Sequence, residues 1–164
     1  MNILSIVGKS GSGKTTLIEK LITALKSHSI KVGIIKHHAH KGFEIDKPGK
    51  DTWRYAQAGA NSVAMISPNK MFVVQETQIE MTLNEIKSMV GNVDIIITDG
   101  FKKENTLKIE LIRSAVHKDI ITPIEDLAAI ISDLDFKLNI PCYSLNDIAG
   151  LANFIIDKFI SEKK

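Results

Sequence analysis

The sequence predicts a three-layer α/β fold, a mostly parallel sheet flanked by helices. Three observations carry that expectation. Apolar runs of strand length alternate with stretches of helical period along the chain. The strand-like runs are apolar at successive positions, as strands covered on both faces are. The first of them enters a glycine turn, then a lysine, two threonines and an apolar-periodic segment, in ILSIVGKSGSGKTTLIEKL.

Each element follows from local chemistry. Residues 3–7 read as a buried strand, and residues 15–27 as a helix with Leu17, Leu21, Ile22 and Leu25 on one face. Residues 32–36 form a second strand, followed by a polar loop rich in His, Lys and Gly to about residue 50. Asp51 caps a short helix through Ala58, stopped by Gly59. Residues 62–66 and 71–74 are strands around a turn holding Pro68 and Asn69. In TLNE, Thr82 and Glu85 have capping-box spacing for a helix to residue 89. Residues 93–98, 108–112 and 127–131 are further strands, and Asn146 or Asp147 caps a last helix to about residue 160. Phosphate ligands of such sheets lie beyond the C-terminal ends of the strands, where every loop discussed below falls.

With 164 residues, 44% hydrophobic and 24% charged, the chain is expected to be one nucleotide-binding domain over residues 1–164. A net charge of +2 implies no strong field for nucleic acid or a membrane surface. The single cysteine, Cys142, excludes an internal disulfide and a multi-cysteine cluster; following Pro141, it reads as a small core residue. No apolar run approaches the roughly 20 residues of a membrane span. The first apolar run lacks the basic region and cleavage site of a signal peptide, so a cytoplasmic location is expected.

Gly8-Lys9-Ser10-Gly11-Ser12-Gly13-Lys14-Thr15, followed by Thr16, matches G-x-x-x-x-G-K-S/T between a strand and a helix. This is the phosphate loop of a P-loop NTPase fold. Glycines let successive N–H groups turn inward as an anion nest, and the helix start adds partial positive charge. Lys14 is placed to reach the β- and γ-phosphates, and the Thr15 hydroxyl to ligate Mg²⁺. Lys9 has two readings, a solvated lysine or one that reaches a neighbouring subunit's nucleotide.

VDIIITDG is an apolar strand ending in Asp99-Gly100, the position of the Walker B acid that serves Mg²⁺. Asp94 lies at the opposite end of that strand and is expected to be solvated. Lys102 and Lys103 follow, facing phosphates or water. The loop IKHHAHKGFEIDKPGKDTWR holds His37, His38 and His40, which could take a transition metal with Glu44 or Asp46, or could pack or bind anions. Asp46 occupies the place of a loop that senses the γ-phosphate. Trp53 packs or holds a base.

GKSGSGKTTL, IKHHAH, DKPGKDTWRYAQAGA and ITDGFK with KIELIR together resemble the molybdopterin-guanine dinucleotide biosynthesis protein B (MobB) family. The similarity runs from the first strand to about Arg113. It implies a small P-loop protein, usually dimeric, that binds GTP with Mg²⁺ and hydrolyses it slowly. It implies a role assisting the molybdopterin guanylyltransferase (MobA), with molybdopterin as a further partner. By that resemblance Gly8 to Thr16 bind phosphate, Thr15 and Asp99 serve Mg²⁺, and the loop from His37 to Asp51 faces nucleotide or cofactor. Many relatives carry Glu-Gly where this chain has Asp99-Gly100; the shorter carboxylate favours a water-mediated metal contact.

The residues themselves do not select GTP over ATP. The guanine-reading sequence N-K-x-D is absent; Ser132 and Asp133, or Asp135, in IISDLD are the candidates for base contacts. Two arginines, Arg54 and Arg113, and no glutamine beside Asp99 point to slow hydrolysis. Lys14 and Asp99 are the residues expected to serve it. Two alternatives remain: a nucleotide-gated adaptor without relevant hydrolysis, and a small-molecule kinase, against which the scarcity of arginine counts.

Overall fold

A computed structural model describes residues 2–38, 42 and 44–161, so His40 lies outside the described residues. The chain divides into two compact units, Met1–His37 with Leu83–Lys164, and His38–Thr82.

The larger unit is built on strands β1 (Asn2–Val7), β2 (Val32–Lys36), β5 (Ile95–Asp99), β6 (Leu107–Ile112), β7 (Leu127–Ser132) and β8 (Cys142–Ser144). They form one sheet in the order β2-β5-β1-β6-β7-β8, every neighbouring pair parallel. Helices α1 (Lys14–Ser27), α3 (Leu83–Met89) and α4 (Ile148–Phe159) cover it. Strand periodicity sorts the two faces. On β5, Ile95 and Ile97 pack with Leu21 and Leu25 of α1 and Ile155 of α4, while Ile96 packs with Leu83 and Ile86 of α3. This confirms the three-layer α/β expectation.

Asp147 caps α4, its carboxylate accepting from Gly150 N at 2.9 Å. Asp94 precedes β5, where its carboxylate accepts from Lys31 N at 2.7 Å. Two charged residues of β6 are buried and fully used. Lys108, 1% exposed, donates to Glu104 O, Thr106 O and Asp126 Oδ2 at 2.9, 3.0 and 3.0 Å. Glu110 accepts from Ile121 N and Thr122 N, each at 2.9 Å. The reading of Cys142 as a core residue is corrected, because it is exposed. It begins β8, the outermost strand, which has a neighbour on one side only.

The smaller unit holds α2 (Asp51–Gln57) and the antiparallel hairpin β3 (Ser62–Ser67) and β4 (Lys70–Gln75). Ser67 pairs with Lys70 across the expected Pro68-Asn69 turn. Val63 is buried, whereas Met65, Ile66 and Met71 are exposed. Among the described residues, no helix is long and apolar enough to cross a membrane.

Candidate functional site

The sheet order changes direction around β1, the place where such folds bind ligands. Register brings the ends of three strands level there, with Asp99 aligned to both Ile6 and Lys36. The loop from Gly8 to Thr16 leaves β1 at this end. Gly8 has φ +151°, and a Cβ there would stand 2.6 Å from Leu111 O, so only glycine fits. Gly13, at φ +97°, is the left-handed N-cap of α1. No side chain caps that helix and its first turn holds no acid, which leaves its first N–H groups for an anion.

Lys9, Ser10 and Gly11 are exposed at the loop's crest, and Thr15 and Thr16 are exposed on the first turn of α1. Lys14 Nζ donates to Gly8 O at 3.1 Å and Lys9 O at 2.9 Å, folding over its own loop. Burial holds the Lys14 ammonium below the usual lysine value; Asp99 opposes this, and the charges of Lys102 and Lys36 add to it. Ser12 Oγ is buried and has no hydrogen-bond partner. A hydroxyl withdrawn from water without a partner is costly, and a hydrogen-bond acceptor at this position would relieve that cost.

Asp99 is mostly buried and lies 3.6 Å from Lys36 Nζ. Gly100, at φ +105°, turns the chain immediately after it. His37 belongs to the same corner: its N–H donates to Asp99 O at 3.1 Å, and its ring lies 5.1 Å from that of Phe101. The carboxylate of Asp99 and the hydroxyl of Thr15 are hard oxygen donors of the kind Mg²⁺ takes.

The structure brings together the phosphate loop, His37 and Asp99 at one end of the sheet. Asp133 follows β7 at that end, and its two oxygens accept from Ser114 N and Ser114 Oγ, both at 2.7 Å. These hydrogen bonds, the Ser114 hydroxyl first, hold its carboxyl below the usual range, with the charge of Arg113 a smaller cause. Asp46 belongs to the smaller unit, where its Oδ1 accepts from Lys47 N at 2.8 Å. Among the described residues no group of three His, Cys, Asp or Glu is placed to hold a metal ion.

Sequence reasoning gave Arg113 and Lys36 no place at this site and offered Asn146 only as an alternative cap of the last helix. A Cβ on Gly13 would lie 3.6 Å from Arg113 Nη1, which places that guanidinium beside the phosphate loop. Arg113 and Asn146 line a groove of about 290 Å³ with Ser12, Gly13, Thr16 and Lys20. The signal available in the sequence was position, since both residues follow strands at the ligand-binding end.

The family model described as "Molybdopterin guanine dinucleotide synthesis protein B" (MobB) matches residues 3–133. The molybdopterin-guanine dinucleotide biosynthesis adapter protein of Escherichia coli (strain K12) is 35% identical over 161 residues, covering 94% of this chain and 91% of that protein. The protein of the same name from Haemophilus influenzae is 34% identical, covering 93% and 86%. The crystal structure of Bacillus subtilis MobB matches with TM-score 0.77 at 23% identity, over 98% of this chain and 99% of that one. The resemblance drawn from the phosphate loop, IKHHAH and DKPGKD therefore holds.

Proposed function

We propose that this chain, which belongs to the molybdopterin guanine dinucleotide synthesis protein B family, is a Mg²⁺-dependent GTP-binding adapter of molybdopterin guanine dinucleotide formation, with slow GTP hydrolysis. The observation that carries the nucleotide reading is the buried, partnerless Ser12 hydroxyl in a loop whose helix start is uncapped. Both await an anion.

In this reading the N–H groups of the loop from Gly8 to Thr16 hold phosphate oxygens, and Lys14 neutralises their charge. Thr15 and Asp99 hold Mg²⁺, which when bound offsets charge on the phosphates. Lys36 and Lys102 add positive field at the same end of the sheet. The groove lined by Arg113 and Asn146 takes the ribose and base, and the Asn146 amide offers both a donor and an acceptor to a base edge. Hydrolysis is slow because no glutamine stands beside Asp99 to orient water. Arg113 stands beside the loop, and Arg54 belongs to the smaller unit, where it lies 3.8 Å from Asp51.

The adapter role follows the printed names of the relatives, and the partner it serves is the molybdopterin guanylyltransferase (MobA), in the cytoplasm. The protein acts as a homodimer. Exposed Met65, Ile66 and Met71 on a two-stranded hairpin support this, since such a hairpin is marginal on its own.

Calorimetry with GTP and ATP, with and without Mg²⁺, followed by a phosphate-release assay, tests the reading. GTP binding that needs Mg²⁺, preference over ATP, and turnover far below about 1 s⁻¹ are expected. Turnover by the isolated protein on the order of 10 s⁻¹, an ordinary enzyme's rate, would contradict it.

A further inference from the structure

The backbone that carries Arg113 is tied at several points, while its side chain is not tied at all. β6 and β7 run parallel with Ile112 level with Ser132, so Arg113 and Asp133 are each the first residue past a paired strand end. That register sets Asp133 against Ser114, whose N–H and hydroxyl its two oxygens accept. Arg113 O accepts from Val116 N and His117 N at 2.8 and 2.9 Å, closing one turn after the strand. The buried Glu110 carboxylate holds Ile121 N and Thr122 N, which fixes the far end of the segment.

Arg113 itself is exposed, and among the described residues its guanidinium is in no hydrogen bond or ion pair. Its Nη1 nevertheless stands beside Gly13 of the phosphate loop. β1 lies between β5 and β6, so the strand ends bearing Asp99 and Arg113 flank that loop from opposite sides. A guanidinium with unused donors at this place suits an anionic oxygen. Anchoring its backbone reduces the freedom that a long side chain loses on binding. We infer that Asp133 is a positioning residue: through Ser114 it sets Arg113 beside the phosphate loop, on the side away from Asp99, where the guanidinium takes a nucleotide phosphate oxygen. In this role the Asp133 carboxylate acts on the chain and not on a base. The inference rests on the nucleotide reading of the loop.

Asp133→Asn separates position from charge. The amide still accepts from Ser114 N and can donate to Ser114 Oγ, whereas Asp133→Ala leaves both without a partner. Calorimetry is run on the full-length protein with GTP and with inosine triphosphate, which lacks the 2-amino group a base-reading carboxylate would take. Urea midpoints check the folding of each variant. Arg113→Ala and Asp133→Ala are each expected to bind about tenfold more weakly, the loss of one charge-assisted contact. The double variant is expected to bind no more weakly than Arg113→Ala, because the two residues act as one. Asp133→Asn is expected to stay within about threefold of wild type, and the losses should be the same for both nucleotides. Should Asp133→Ala fail to fold, Ser114→Ala removes the hydroxyl bond alone and is expected to show a smaller loss that also disappears without Arg113. Unchanged binding by Asp133→Ala overturns the inference, as do losses that add in the double variant. So does Asp133→Asn as weak as Asp133→Ala, or a loss for GTP with none for inosine triphosphate. Each of these leaves the phosphate-loop reading standing, provided wild type binds GTP and Lys14→Ala binds it far more weakly. Wild type that binds neither nucleotide overturns that reading, and the inference with it.

Discussion

Two lysines, one buried and one partly buried, lie at opposite ends of the sheet, and they differ in how their hydrogen bonds close. Lys108, at the start of β6, places its three N–H bonds on Glu104 O, Thr106 O and Asp126 Oδ2. Lys14, beyond the end of β1, places two on carbonyls of its own loop and has no third partner among the described residues. An ammonium has three donors, so one lysine is saturated and the other is not. The saturated one ties loops to a strand. The unsaturated one, beside Asp99 and two further lysines, can give up its loop carbonyls for a ligand. Burial is complete at Lys108 and partial at Lys14, and the count of satisfied donors separates the two further.

The largest stability effect is expected from Lys108→Ala. It strands two carbonyls and Asp126 and should cost about 3 kcal/mol, the low end for a broken buried pair because Asp126 is a third exposed. Urea unfolding measures it, and nucleotide affinity of the folded fraction should stay unchanged. A neutral Lys108→Ala would break the comparison. Asp99→Asn sharpens it from the other side. GTP affinity in Mg²⁺ should fall about tenfold, the loss of one charge-assisted contact, with little change in affinity under chelator. Equal losses in both conditions would show that Asp99 does not serve the metal.

The smallest effect is expected at Asp133. Its folded-state value is depressed, so its contribution to stability is present above the ordinary carboxyl value of 3.8 and is lost as pH falls through the lower folded value. Asp133→Asn should lower the urea midpoint slightly at pH 7, and the difference from wild type should vanish at strongly acid pH. A difference that persists in acid would point to packing rather than charge.

The phosphate loop was legible because its parts are consecutive and each residue type has one use there. Asp99 was legible because an apolar strand ending in Asp-Gly fixes which end of the sheet it occupies. Lys108 and Glu110 were not, since their partners lie outside the strands, as far as 18 positions away, and no local pattern reveals them. The same holds for Asp133, whose partner Ser114 is 19 positions earlier. Cys142 was misread because β8 is only three residues long and sits at the sheet's edge, where an apolar-looking segment need not be covered. The Ser12 hydroxyl left without a partner, and the Arg113 guanidinium beside Gly13, became visible only in three dimensions.

The central claim is that this end of the sheet is a Mg²⁺–nucleotide site completed by Lys14. Calorimetric titration of wild type and Lys14→Ala with GTP and Mg²⁺ tests it most directly, with urea midpoints recorded for both. The account predicts a loss on the order of 100-fold in affinity, matching about 3 kcal/mol for hydrogen bonds to charged phosphate, at nearly unchanged stability. Equal GTP affinity in the two proteins, or no binding by wild type, would contradict it.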